Sequence, residues 1–94
     1  GFVNLAAPKF GLRALAQSMA RELGPQGIHV AHVIIDGGVD GDRLRGAFPG
    51  LVDRLGSEGM LDVDAIAETY WPLHRQPRQT WTHETELRPY KENW

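Results

Sequence analysis

The run Ile28–Ile35, IHVAHVII, places the strongest constraint on what this chain can fold into. It is β-branched and nearly continuous in apolar residues. That is the habit of a strand covered on both faces, as in parallel sheets. Parallel strands cannot be joined by a tight hairpin; they need a crossover, usually a helix. An amphipathic helix and a Gly24-Pro25 turn precede this run, and Asp36-Gly37-Gly38-Val39 follows it. Helix, turn, strand and glycine loop make half of a βαβ unit, which places the chain in the α/β class. The other half has no counterpart in the sequence.

The helix in front is read from Leu12, Leu15, Ala16, Met19 and Leu23, which recur at three- and four-residue steps and predict one buried stripe. Arg13, Gln17 and Arg21 lie on the other side, and Phe10 and Ala14 form a second, flatter apolar patch. Asn4 is the predicted N-cap. Gly24-Pro25 is the predicted stop, with glycine in the position after the helix. Pro8 conflicts with a long regular helix, because proline is tolerated only in the first turn. Either the helix starts no earlier than about Leu5, or its first turn is distorted.

Beyond the strand, Leu44, Phe48, Leu51, Val52 and Leu55 predict one or two short helices broken at Pro49-Gly50. A long glycine-rich loop with helical pieces is a candidate lid; the alternative is a plain surface connection. Asp62 is the predicted cap of a further helix, with Asp64 in its first turn and Ile66, Tyr70 and Leu73 on its buried side. Pro72 is expected to kink it and Pro77 to close it. Thr80–Leu87, TWTHETEL, alternates, with Trp81, His83, Thr85 and Leu87 on one face. The opposite face is polar, so this is an edge or interface strand.

Charge and composition exclude several classes. The 94 residues suffice for one small domain, and the net charge of −2 gives no electrostatic case for nucleic acid or an anionic membrane. No apolar run approaches a membrane span. There is no cysteine, hence no disulfide or thiolate chemistry, which fits a reducing, cytoplasmic setting. His29 and His32 fall on opposite faces of a strand and cannot share a metal ion; no metal site is expected. Asp36 lies at a strand's carboxyl end, where it either forms the turn or meets a ligand. Trp81 and the final Trp94 either line an interface or cap the core. For His83, an edge-strand polar residue is the expected role. Gly1-Phe2-Val3-Asn4 carries neither a methionine nor a signal-peptide pattern, so a piece of a longer protein is expected.

Two stretches carry a family resemblance. LAAPKFGLRALAQSMARELGPQGIHVAHVIIDGGVD resembles the last third of a short-chain dehydrogenase/reductase, and LDVDAIAETYWPLHRQPRQTWTHETELRP resembles that family's final helix and strand. The resemblance implies an α/β fold, a fragment of a doubly wound Rossmann-type parallel sheet supplying its last two strands with flanking helices. Residues 1–94 would then be the carboxy-terminal part of one domain whose dinucleotide-binding half is absent. It further implies hydride transfer between NAD or NADP and a small alcohol or carbonyl substrate in the parent protein.

The family's catalytic pair is a tyrosine followed four residues later by a lysine, one helical turn apart. The lysine lowers the tyrosine's pKa and holds the cofactor ribose, while the tyrosine exchanges a proton with the substrate oxygen. Lys9 matches the lysine. Leu5 occupies the tyrosine position and cannot donate a proton. In the loop after the strand, the resemblance assigns cofactor contacts to Gly37 and to the backbone of Val39, while Asp36 and Gly41 replace the family's proline and threonine. The phosphate-binding glycine turn and the catalytic serine lie outside this sequence, so the isolated chain is expected to be inactive and to bind no cofactor tightly. The alternative is a catalytically degenerate module for binding or oligomerisation. Either way, a homo-oligomer through the first helix, last helix and last strand is implied.

Overall fold

The computed structural model describes residues 2–92. In chain order it has helix α1 (Val3–Leu23), strand β1 (His32–Ile35), strand β2 (Val39–Asp40), helices α2 (Asp42–Ala47) and α3 (Pro49–Leu55), strand β3 (Leu61–Asp62), helix α4 (Val63–His74) and strand β4 (Glu84–Leu87). One-turn 3-10 helices cover Gly24–Gln26, Ser57–Gly59 and Arg78–Thr80. β1 pairs with β4, and β2 with β3.

Both pairs are parallel. β2 and β3 match Val39 with Leu61 and Asp40 with Asp62. Along β1 and β4, the His32 amide donates to the His83 carbonyl at 2.7 Å and the Asp36 amide to the Leu87 carbonyl at 2.9 Å. Both partners advance together along the chain, which only parallel strands do. The predicted side-by-side course of these two segments therefore holds.

The chain divides into two units, one reaching to His32 and including Leu73–Thr85, the other holding Val33–Pro72 and the residues from Glu86 on. In the first unit, α1 begins at Val3, so Asn4 lies inside the helix and is not its cap. The Phe2 carbonyl accepts from both Leu5, at 3.1 Å, and Ala6, at 2.7 Å. Such three-centre bonds are common at helix ends; Pro8 lies inside the helix and offers no amide to the Asn4 carbonyl. The stop also differs from expectation. Gly24 stays right-handed, and the left-handed residue is Gly27, φ 85°, which closes the 3-10 turn begun at Gly24-Pro25.

The predicted buried stripe of α1 is largely open. Leu12 is 53% exposed and Leu15 56%, and no residue of the helix is buried. The periodicity is real, but among the described residues the stripe is covered only in part: Ala16 and Leu23 are half-buried, while Leu12, Leu15 and Met19 are exposed. Both predicted strands are also shorter than expected. Residues 28–31 have no ladder, and Ile28 and Ile35 are exposed rather than covered on both faces. Here side chains take up backbone groups instead: the His29 Nε2–H donates to the Thr82 carbonyl at 2.7 Å, and the His83 Nδ1–H to the Val30 carbonyl at 3.3 Å. Thr80 belongs to a 3-10 turn, not to the last strand. Trp81 stacks on His29 with ring centroids 4.7 Å apart and donates its indole N–H to the Gln76 carbonyl at 3.2 Å. It packs within its own unit. Trp94 lies outside the described residues.

In the second unit the expected pair of helices forms, broken at Phe48, with Pro49 as the first residue of α3. Asp62 caps α4 as expected, its carboxylate accepting from the Ala65 amide at 2.9 Å. Pro72 lies inside α4, and the helix ends at His74 before Pro77. Met60 and Leu61, 4% and 8% exposed, are the large apolar side chains buried among the described residues.

Candidate functional site

The expected site residues fall into both units, and each group has its own geometry. In the first unit, Leu5 and Lys9 lie one turn apart on α1, both solvent-exposed. The i, i+4 spacing puts them on one face. One turn further on, the Arg13 guanidinium grips the Glu84 carboxylate with two bonds, 2.9 Å from Nε and 2.6 Å from a terminal nitrogen. The His32 Nδ1 lies 3.4 Å from the same carboxylate. The Arg13 hydrogen bonds hold the Glu84 carboxyl below its ordinary pKa, and the His32 bond adds to this. Phe10, Arg13, Ala14, Gln17, His83 and Glu84 line an open cleft of about 390 Å³ beside this cluster.

The cluster was not legible in the sequence. Arg13 and Glu84 are 71 residues apart, and no local spacing links them. The alternating pattern of the last strand did place Glu84 on its polar face, but only the fold brings Arg13 to it. His29 and His32 part company as expected, one on Trp81 and Thr82, the other on Glu84. Among the described residues no group of three or more His, Asp or Glu could hold a metal ion.

In the second unit, Gly37 and Val39 follow directly on β1. Gly37 has φ 145°, a conformation that L side chains rarely adopt, and a Cβ there would lie 2.8 Å from Cδ of Pro89. The glycine is thus required by the backbone and by the buried Pro89 ring. Asp36 donates its amide to Leu87, and its carboxylate lies 3.6 Å from the Arg88 guanidinium. The amide bond continues the β1–β4 ladder by one residue, and neither contact bears on the choice between its two expected roles. Val39 enters the short ladder with β3, where the neighbouring Gly38 carbonyl accepts the Leu61 amide at 2.7 Å. Just beyond, Asp40 pairs with Arg45 through two bonds of 2.5 and 3.0 Å. That hydrogen-bonded guanidinium holds the Asp40 carboxyl below its ordinary pKa. Val39, Gly41, Arg43 and Leu44 line an open, largely apolar cleft of about 360 Å³.

With this geometry in place, comparison with known proteins decides the family. No family model matches the chain, and no curated protein matches it. A crystal structure of a short-chain dehydrogenase from Rhodopseudomonas palustris matches at 44% identity with a TM-score of 0.63, over 96% of this chain. The chain belongs to the short-chain dehydrogenase family. It spans 31% of the length of that dehydrogenase. The mixed order of helices and parallel strands is that of a Rossmann-like segment, and the family is one of oxidoreductases. Among the described residues no helix is long and apolar enough to cross a membrane.

Proposed function

We propose that this chain is the carboxy-terminal part of one NAD(P)-dependent short-chain oxidoreductase domain, acting on a small alcohol or carbonyl substrate. The match at 44% identity over 96% of the chain carries this reading. In it, β1 and β4 are the last two strands of a doubly wound sheet, and the dinucleotide-binding half comes from elsewhere in a longer protein.

The nicotinamide cofactor supplies or accepts the hydride when bound. The residues of this chain fit its nicotinamide end and not its phosphates. Gly37 and Val39 stand just past the carboxyl end of β1, where ligands sit in α/β sheets. In a parallel ladder the residue between two bonded positions turns its amide and carbonyl to the other side. With Gly38 bonded to β3, Val39 turns its amide away from β3, the side on which this reading puts the nicotinamide, while its carbonyl accepts from the Gly41 amide at 2.8 Å. Lys9 holds the ribose with its ammonium group. Leu5 carries no proton, so the acid–base step falls to a group outside residues 1–94 or is lost, and the isolated chain is inactive.

A second reading, a module for self-association that has given up turnover, draws on one observation. The apolar residues of α1 are open, with Leu5 57% and Phe10 64% exposed. Surfaces of this kind on a monomer mark contact sites.

The deciding experiment titrates the full-length protein with NADH and NADPH and assays turnover in the natural sequence and in Leu5→Tyr. The oxidoreductase reading expects saturable binding that Lys9→Ala weakens, and faster turnover in Leu5→Tyr. No binding of either cofactor, together with a dimer or larger species by light scattering, would establish the second reading instead.

A further inference from the structure

The chain between β2 and β3 leaves and returns through one short parallel ladder. Its two feet are held in register, Val39 with Leu61 and Asp40 with Asp62. The returning foot, Met60-Leu61, is buried, whereas α2 and α3 contribute no buried residue of their own. So the excursion is anchored firmly at its base and weakly along its body. Two contacts bring α2 back onto β2. The first is the pair of hydrogen bonds that the Arg45 guanidinium donates to the Asp40 carboxylate. The second is Leu44, whose Cδ2 would lie 3.1 Å from a Cβ placed on Gly38. Gly38 is not in a left-handed conformation; a Cβ there would crowd Leu44, which would have to give by a few tenths of an ångström, and would meet no backbone strain.

We infer that the Asp40–Arg45 ion pair and the seat of Leu44 on Gly38 form a latch that holds α2 against β2 beside Val39. With the latch closed, the apolar cleft of Val39, Gly41, Arg43 and Leu44 is assembled; with it open, α2 swings on the ladder and the cleft loses one wall. Asp40, Arg45, Leu44 and Gly38 are therefore positioning residues. They act through α2 and touch no reacting atom. The occupant of the cleft rests on the oxidoreductase reading, but the latch itself does not. Its partners are charged and open to water, so it is weakened by salt.

The test is limited proteolysis and hydrogen exchange of residues 41–60 in the full-length protein. Asp40→Asn and Arg45→Gln are each expected to speed cleavage and exchange there about 2- to 5-fold, the scale of one exposed ion pair. Gly38→Ala, which displaces Leu44, is expected to do at least as much. The charge swap Asp40→Arg with Arg45→Asp is expected to restore protection. High salt should bring the natural protein to the level of Arg45→Gln and leave that variant unchanged. Single variants as protected as the natural protein, or a swap that fails to restore protection, would overturn the latch. Where cofactor turnover is present, KM rises by the same factor and kcat holds; a fall in kcat at constant KM would also overturn it. Absence of NAD(P)H binding would sink the oxidoreductase reading alone, because the protection experiment decides the latch without it.

Discussion

Helix α1 and the base of the β2–β3 excursion are opposites. The helix is long, regular and strongly patterned, yet none of its residues is buried. The base is irregular in sequence, with Gly37-Gly38 on one foot and Gly59-Met60-Leu61 on the other, yet it holds the best-buried side chains described. Periodicity reports which face of an element is made to be covered. Burial reports whether a partner is there to cover it. A stretch too short for any periodicity can still be buried when two backbones converge on it.

The contrast can be broken or sharpened by substitution, starting where the largest loss is expected. Gly37→Ala should destabilise the protein by about 2–3 kcal/mol, since it adds backbone strain and a clash with the Pro89 ring; urea unfolding measures it. Leu61→Ala should cost about 2 kcal/mol, the low end for a truncated core leucine, because the side chain keeps some exposure. Asp62→Ala removes the cap of α4 and should cost about 1 kcal/mol, read as a lower thermal midpoint with unchanged fold.

Leu15→Ala sharpens the comparison from the other side. An uncovered side chain should change the stability of the isolated chain by less than about 0.5 kcal/mol. A loss several times larger when these residues sit in the longer protein of the proposed reading would show that its other residues cover the stripe. The smallest effect concerns Glu84, which joins β4 to α1. Its carboxyl pKa is depressed in the folded chain, chiefly by Arg13 and then by His32. Its contribution is present above the unfolded carboxylate value, near 4.3, and is lost as pH falls through the lower folded value. Glu84→Gln should therefore lower stability slightly near neutrality and flatten the acid limb, so that the two profiles converge at low pH, as urea unfolding across pH would measure.

Several elements were readable because their signals are local. Asp62 precedes its helix at capping distance, Pro49 suits the first position of α3, and the alternation ahead of Arg88-Pro89 marks a strand. Local signals failed where two competed. Pro8 and Asn4 argued for a late helix start, but the favourable residues that follow carried the helix back to Val3. Gly24 carried the glycine signature of a helix stop, yet Pro25 fixed a 3-10 turn and passed the left-handed conformation on to Gly27. For the candidate site, Leu5, Lys9, Gly37 and Val39 were named by resemblance alone. The Pro89 ring that explains Gly37, and the Glu84 that receives Arg13, were not readable.

The sequence by itself determined the class of this protein: a helix, an apolar strand, a glycine loop, a capped helix and a final strand, in an order that suits a parallel sheet. Each of those signals lies within a few residues, the range over which backbone preference and side-chain period act. Only the tertiary structure decided which strand residues are paired, which apolar faces are covered, and which distant charges meet. Those outcomes depend on backbones brought together across tens of residues, and no local pattern records the partner.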